Sequence, residues 1–445
     1  MRYSSSFKTL VTGLVACAVI IPMAACGSSS SADGDKGDKV TLKMAALEGG
    51  YGIDMYKQVI AQYEKLNPNV KVELQASKSI EDEITPSMKA GNYPDLVWLG
   101  QGRKAALTET MIKDKAIDDL TGVLGEKIPG ESKTVKDKLM PGITGGLGTN
   151  PYGDDKVYLM PMNYAPTGLV YNKKLLADNG WQVPTTWDEM YKLGDEAKAK
   201  NISLFTFPTT GYLDAYFFSL LPDVGGESFY KDVMTYKKDI WKSADAKKSL
   251  DLTTKLVKYI NPDTVGYANE QDFTKNQQQI LDGTSVFMPN GTWIVNEMKD
   301  APRTDGFEWG FTPLPGVQGD TRYLTTSIET AWVPTKAKHK DEAKKFLAYF
   351  YSDDAVNIFA KAGAVQPVKG VESKIDNTLK PFYDTYQAEG VKPVVGGFAS
   401  TKPVPGVDIK ETLFGTVSSI ISGDKTEQQW IDALNKASNA LADAK

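Results

Sequence analysis

Polar and aromatic residues stand where two predicted strands near the start of the chain end. Alternating apolar residues predict a first strand over residues 40–46, and the apolar run at 95–100 predicts a second, buried strand. Ligands of open α/β sheets bind outside the carboxyl ends of such strands. We therefore predict one rim of a binding site, with flat rings and hydrogen-bonding groups, at Glu48, Tyr51, Trp98 and Gln101.

The segment from Asp155 to Leu176 contains a second candidate group of binding residues. Its apolar runs at 157–160 and 168–171 predict two short strands, and prolines bracket the residues between them. The predicted turn carries Asn163 and Tyr164, one amide and one ring, at a place where chain segments meet. The other interpretation is a strand-turn-strand unit with an exposed tyrosine.

A further ring, Trp293, follows a predicted buried strand at 285–288 and a tight turn at 289–292. A helix is predicted directly after it, over 294–298. A tryptophan at this point is held by rigid elements and suits a binding platform. The alternative is a tryptophan that covers the core.

The elements that position these residues alternate between strands and helices. A helix over 55–66 separates the first strand from a strand at 70–74, so the two strands should be parallel with a right-handed crossover. Further helices are predicted at 80–90, after the threonine-capped segment Pro184–Glu189, and at 215–221, 244–260 and 272–281. This pattern predicts an α/β protein, and 445 residues exceed what one core usually supports.

Composition excludes several classes of function. The 51 basic and 56 acidic residues give a net charge of −5, which argues against nucleic acid as a partner. The only histidine, His339, stands in a lysine-rich polar run. Zinc sites and histidine-based catalytic triads are therefore not expected. We expect no metal and no cofactor.

The N-terminus predicts a targeting segment. Arg2 and Lys8 precede an apolar run that is too short to span a bilayer comfortably. The run ends in Met-Ala-Ala-Cys-Gly, which resembles a bacterial lipobox with Cys26 as the lipidated residue. Residues 1–25 would then be a lipoprotein signal peptide, and the Ser/Gly/Asp-rich residues 26–39 a flexible tether. An ordinary signal peptide with a coincidental cysteine is the alternative.

Five segments, in order, resemble the extracellular solute-binding proteins of carbohydrate ABC transporters (family 1, the maltose-binding-protein superfamily). The pairing of LVYNKKLL with PTTWDE is characteristic of that family. The order continues with LDGTSVFMPNGTWIV, WGFTPLPG and EAKKFLAYFYSDDAVNIFAKAGAVQP. The resemblance runs from about Val40 to the C-terminus, and it is specific for the family rather than for the ligand.

This resemblance implies a two-lobed α/β fold of the periplasmic-binding-protein type II, with a multi-strand hinge and an interdomain ligand cleft. Residues 40–160 and 315–362 would form the N-terminal lobe, and residues 161–314 and 363–445 the C-terminal lobe. The run Val157–Met160 would cross between the lobes, and the turn at Asn163 and Tyr164 would face the ligand across from Trp98.

The resemblance also implies which residues bind the ligand. The family's aromatic platform falls on Trp293, its second-lobe loop near Tyr212 and Asp214, and the segment that returns to the first lobe on Glu329. Phe398 is a candidate for a C-terminal aromatic. The complete expected set is Glu48, Tyr51, Trp98, Gln101, Asn163, Tyr164, Tyr212, Asp214, Trp293, Glu329 and Phe398.

Carbohydrate chemistry suits this set, because a pyranose ring has apolar faces and a fringe of hydroxyl groups. We expect a monomeric, non-enzymatic lipoprotein on the extracytoplasmic face of the cell membrane. It would capture an oligosaccharide and deliver it to the permease subunits of an ABC transporter. One alternative is a secreted glycoside hydrolase that uses two carboxylates such as Glu48 and Asp214. The other is a protein of the same fold that binds a polyamine or an iron complex.

Overall fold

The computed structural model describes residues 39–444, except 104, 141–142, 145–147, 318, 320, 396 and 400. The predicted signal peptide, Cys26 and nearly all of the predicted tether lie outside the described residues. The described strands are β1 (Val40–Leu47), β2 (Val70–Ser77), β3 (Leu96–Trp98), β4 (Met160–Asn172), β5 (Ser203–Phe205), β6 (Ser285–Gly291), β7 (Trp309–Thr312), β8 (Arg322–Trp332) and β9 (Val391–Val394).

The described residues form sixteen α-helices, and sequence patterns predicted seven of them. They are α1 (Asp54–Leu66), α2 (Ile80–Lys89), α3 (Leu107–Lys113), α4 (Val135–Lys138), α5 (Lys173–Asn179), α6 (Trp187–Ala199), α7 (Leu213–Met234, interrupted at Gly226), α8 (Ala244–Val257), α9 (Thr264–Tyr267), α10 (Phe273–Leu281), α11 (Ile294–Glu297), α12 (Lys340–Tyr349), α13 (Asp353–Lys361), α14 (Lys380–Tyr386), α15 (Thr416–Ser422) and α16 (Glu427–Ala442). Short 3₁₀ helices lie at Thr121–Gly125, Thr210–Tyr212, Ile240–Lys242 and Val371–Lys374, and a π-helical turn at Glu411–Gly415.

The strands form one sheet in the order β2-β1-β3-β8-β4-β6-β5, with β7 paired to β4 and β9 to β8. The predicted parallel pairing of β1 with β2 is confirmed, and β3 lies parallel to β1 on its other side. At the opposite end of the sheet, β5 and β6 are also parallel. The antiparallel pair β4 and β8 joins these two parallel groups.

The predicted turn at Asn163 and Tyr164 is wrong. β4 runs without interruption from Met160 to Asn172, and every one of its residues is buried. Its first part pairs with β8 and its last part with β6 and β7. Prolines at 161 and 166 suggested a break, but pairing with β8 keeps this part of β4 extended, with only a register shift between Pro161 and Asn163.

Two large hydrophobic clusters pack against this sheet. The first contains Trp98, Tyr56 and Phe350 and receives side chains from β1, α1, α12 and α13. The second contains Trp241 and Trp430 and receives side chains from α6, α7, α8 and α16. Consecutive β4 residues divide between the clusters, because side chains alternate between the two faces of a strand. β4 therefore belongs to both cores.

The predicted helix start at Thr186 is confirmed. The Thr186 hydroxyl accepts a hydrogen bond from the backbone N–H of Glu189, and the Glu189 carboxylate accepts one from the Thr186 N–H. Such a capping box satisfies backbone donors that the first helical turn leaves free. In the described part of the chain, no helix has the length and apolar character needed to cross a membrane.

Candidate ligand-binding site

The loops that follow the carboxyl ends of β1 and β6 contact each other. Gly50 lies so close to Trp293 and Glu297 that a Cβ atom built on it would be 3.0 Å from the Trp293 Cβ and 3.1 Å from the Glu297 Cγ. The next residue, Tyr51, hydrogen-bonds through its hydroxyl to the Thr292 Oγ1 at 3.1 Å. The strand-end residues predicted from the sequence are therefore brought against the predicted aromatic platform.

Glu329 on β8 lies at the base of this region. The Trp98 indole N–H donates to the Glu329 Oε2 at 3.0 Å, and the backbones of Gly49 and Gly100 lie close to the same side chain. Burial raises the pKa of Glu329, although the Trp98 hydrogen bond and the charge of Arg103 oppose this shift. Glu329 is thus a half-buried carboxylate, and the Trp98 indole N–H holds it in place.

Trp98 does not present a free ring. Its side chain is 0% exposed, and its ring packs against Tyr56 at 5.0 Å and against Phe350 and Phe359 at 5.3 Å. The structure places the ring in the first core, and only the N–H points to a site group. Trp98 therefore orients Glu329, whereas the sequence suggested a flat surface for the ligand.

Asn163 and Tyr164 leave opposite faces of β4. Asn163 is registered directly opposite Glu329, so the two side chains share a face of the sheet. The Asn163 side chain is only 3% exposed, and its Oδ1 has no hydrogen-bond partner in the described part of the chain. Tyr164 instead lines a cavity of about 550 Å³ with Thr326 and Tyr386 on the other face. The structure therefore brings Asn163, not Tyr164, to the side of Glu329.

The loops after β1 and β3 are the first wall of the candidate site. Residues around the start of α7 and the end of β6 are its second wall. Tyr212 lies edge-on to Trp293, with ring centroids 6.1 Å apart. Asp214 keeps solvent access, but protein atoms surround its carboxylate closely enough that burial raises its pKa to about 6. The N–H of Ala215 and the charge of Lys410 oppose this rise. The wall thus combines two rings with one carboxylate.

Glu297 is a site residue that the sequence analysis missed. Burial raises its pKa, while a hydrogen bond of 2.9 Å from the Gln277 Nε2 to its Oε2 and the charge of Lys78 act against that shift. Gln277 itself is fully buried, so it fixes the carboxylate from below. Glu297 is four residues after Trp293, and this helical spacing was the signal that could have found it.

Lys410 is a second missed residue. It stands at the start of the π-helical turn, and its Nζ donates to the carbonyl oxygen of Gly102 at 3.4 Å, beyond the end of β3. Its charge also acts on Asp214. π-helical turns are rare and often mark functional positions, but no apolar periodicity in this region predicted one.

Other predicted residues lie at the margin or away from this group. Glu48 is half-buried at the end of β1, and Gln101 is exposed after β3. Phe398 stacks on Tyr236 with a centroid distance of 5.8 Å and meets Phe218 edge-on at 5.8 Å. Phe398 therefore packs on the second core.

These groups can hold a polyhydroxylated ligand. Carboxylates at 214, 297 and 329 and the free Asn163 carbonyl oxygen accept hydrogen bonds, while the rings of Tyr212 and Trp293 provide apolar surface. Within the described residues, no three acidic, histidine or cysteine side chains gather as a metal ion requires.

Comparison with known proteins identifies the family. The bacterial extracellular solute-binding protein family matches residues 50–357. The diacetylchitobiose binding protein NgcE of Streptomyces coelicolor is 28% identical over 389 residues, which cover 80% of this chain and 78% of that protein. The multiple sugar-binding protein of Streptococcus mutans is 24% identical over 384 residues, which cover 81% and 82% respectively.

A chitin oligosaccharide binding protein of known structure shares the fold. Its TM-score is 0.71 at 19% identity, over 92% of this chain and 100% of that one. The fold is the two-lobed α/β fold of type II periplasmic binding proteins, with a cleft between the lobes. The matching family consists of binding proteins, so the hydrolase alternative is set aside. The chain is a member of the bacterial extracellular solute-binding proteins that serve carbohydrate ABC transporters.

Proposed function

We propose that the chain captures an oligosaccharide in the cleft between its lobes and delivers it to an ABC permease. The observation that carries this proposal is the Oδ1 of Asn163, which lies beside the half-buried Glu329 and has no hydrogen-bond partner among the described residues. A buried polar atom without a partner costs free energy unless a bound molecule or water satisfies it. The amide and the carboxylate lie on one face of the β4–β8 pair, and a sugar hydroxyl group is a donor that suits both.

The rings on the second wall support a sugar over other hydrogen-bonding ligands. Trp293 is half-buried and Tyr212 packs edge-on against its ring, so the platform is held in place before a ligand binds. A pyranose face covers such a ring with C–H groups. The two relatives named above are described as binding diacetylchitobiose and multiple sugars, and we propose diacetylchitobiose as the first compound to test.

We further propose that the ligand stabilises a closed arrangement of the lobes. Three contacts join segments that the lobe limits 40–160/315–362 and 161–314/363–445 assign to different lobes. They are Gly50 with Trp293, Tyr51 with Thr292 and Gly102 with Lys410. A ligand that touches both walls favours the closed form by its difference in affinity for the two states.

A lipid on Cys26 would hold the protein at the extracytoplasmic face of the membrane. The lipobox-like sequence supports this part of the proposal, together with the extracellular family to which the chain belongs. Fractionation of cells that produce the Cys26→Ala variant tests it. We expect the variant in the soluble fraction or the medium, and membrane association equal to that of the unaltered protein would contradict the anchor.

Thermal unfolding with added sugars tests the binding function. A ligand that binds only the folded state stabilises it by about 2.7 kcal/mol at a hundred times its Kd. We expect a concentration-dependent rise in Tm with diacetylchitobiose or another oligosaccharide. Spermidine is the matched non-sugar compound, because the cleft holds several carboxylates. A rise with spermidine and none with a broad set of sugars would replace the proposed ligand class.

A further inference from the structure

A basic crevice lies on the side of α11 that faces away from the Glu297 carboxylate. It has a volume of about 620 Å³, and residues of α11, of the segment 299–309 and of the segment 361–381 line it. Four cationic side chains and two carboxylates surround it, which are Lys173, Lys299, Arg303, Lys361, Glu308 and Asp376. The lining thus carries two net positive charges, although the whole chain has a net charge of −5.

Neighbouring groups do not neutralise the three lysines of the crevice. Among the described residues, no ion pair involves Lys173, Lys299 or Lys361, and all three side chains are exposed. The Asp376 carboxylate accepts hydrogen bonds from the backbone N–H and the hydroxyl of Thr378, and these bonds lower its pKa. Its charge is therefore engaged locally.

Arg303 has a structural role at the same place. Its Nη2 donates to the carbonyl oxygens of Met298 and Lys299 at the end of α11, and its guanidinium lies 5.6 Å from the centre of the Phe307 ring. These contacts fix the floor of the crevice. The lysines at its rim remain free to meet negative charge.

The crevice also lies at the crossing between lobes. The Asn296 side chain donates to the Ala362 carbonyl oxygen at 2.7 Å, and Gly363 lies between Asn296 and the ring of Tyr51. Trp293 and Glu297 face the cleft at the two ends of α11, whereas Asn296 lines the crevice. An occupant would therefore contact the reverse side of the helix that carries the sugar platform.

We propose that this basic crevice is a docking site for an acidic segment of a protein partner. Its volume exceeds what a single small anion needs, and the lysines stand on three separate segments, so several carboxylates along one chain match it best. Identification of this partner with the transport complex rests on the proposed function. The charge complementarity between the crevice and an acidic segment does not depend on the proposed function.

The test uses a fluorescein-labelled peptide of six glutamates and fluorescence anisotropy at low salt. The purified protein should bind the peptide, and the Lys299→Ala/Lys361→Ala double variant should bind it about tenfold more weakly, since each exposed pair contributes up to about fivefold. Binding should also weaken steeply as salt is raised. A charge-matched control is Lys198→Ala/Lys247→Ala, whose lysines lie on exposed faces of α6 and α8, and it should bind like the unaltered protein.

An equal loss of peptide affinity in the two double variants would show non-specific electrostatic attraction and overturn the proposal. Stabilisation by inorganic phosphate without any peptide binding would replace it with a small-anion site. Sugar-induced shifts of Tm, measured on the same proteins, separate this inference from the proposed function. The crevice variants should show the same sugar-induced rise in Tm as the unaltered protein. If no sugar raises the Tm of the unaltered protein, the transport function is contradicted whether or not the peptide binds.

Discussion

Replacement of Glu329 by glutamine separates the contribution of its carboxylate to ligand binding from its contribution to folding. The side chain is half-buried, and the indole N–H of Trp98 donates to it at 3.0 Å. Glutamine has the same shape and keeps an oxygen acceptor for that donor. The substitution therefore removes the charge and leaves the packing in place.

Glu329→Gln should affect stability and ligand affinity differently: the protein should be as stable or more stable, and it should bind the ligand more weakly. Because burial raises the pKa of Glu329, the folded state favours the protonated carboxyl more than the unfolded state does. This group therefore lowers the free energy of unfolding as the pH rises above its unfolded pKa. Glutamine mimics the neutral form, so Glu329→Gln should leave Tm at pH 7 unchanged or higher.

Binding should weaken instead. A hydrogen bond to a charged acceptor contributes about 1.5–3 kcal/mol, against about 0.5–1.5 kcal/mol for a neutral one. The expected loss of about 1–1.5 kcal/mol corresponds to a Kd about fivefold to tenfold higher. Isothermal titration with the best sugar from the thermal screen measures this change, and the exposed Glu389→Gln is the control. A variant with unchanged affinity and a lower Tm would show that Glu329 is structural, and would refute the reasoning.

Other substitutions test the remaining parts of the cleft. Trp293→Ala should weaken sugar binding by about 2–4 kcal/mol, as expected for a central aromatic contact, while Tm moves by a few degrees only. Gly50→Val should weaken binding in the same titration, because its Cβ would press on Trp293 at 3.0 Å and keep the walls apart. Tyr164→Phe should leave affinity unchanged, since that side chain lines the opposite cavity. Affinity should fall as the pH drops through about 6, where Asp214 becomes protonated, and Asp214→Asn should flatten that profile.

Sequence patterns predicted the positions of strands and helices well because apolar spacing and caps are local signals. The β1-α1-β2 unit and the capped start of α6 follow directly from apolar spacing and the Thr186 cap. The failure at β4 has a physical cause. Proline and asparagine favour turns in isolated segments, but here β8 pairs with the segment and β6 and β7 flank its end, and this non-local pairing overrides the local preference.

Side-chain direction was the second limit. The sequence placed Trp98 and Tyr164 near the site, yet whether a ring lies in the core or in the cleft depends on packing partners distant in the chain, such as Phe350 and Tyr386. Glu297 and Lys410 were missed for related reasons. Glu297 stands four residues after Trp293, a helical spacing that was not used, and Lys410 stands at a π-helical turn that has no periodic signal.

The β4–β8 pair joins the two parallel strand groups and carries two polar residues of the candidate site. Asn163 and Glu329 are registered opposite each other on β4 and β8, and the register shift of β4 lies between Pro161 and Asn163. A register shift of this kind bends a strand and disrupts its ladder locally. A hydrogen bond to Asn163 therefore acts on the backbone next to the bend. Because β4 contributes side chains to both cores, a change in that bend alters how the cores are oriented. We therefore propose that ligand contact and lobe geometry are coupled through this one short segment.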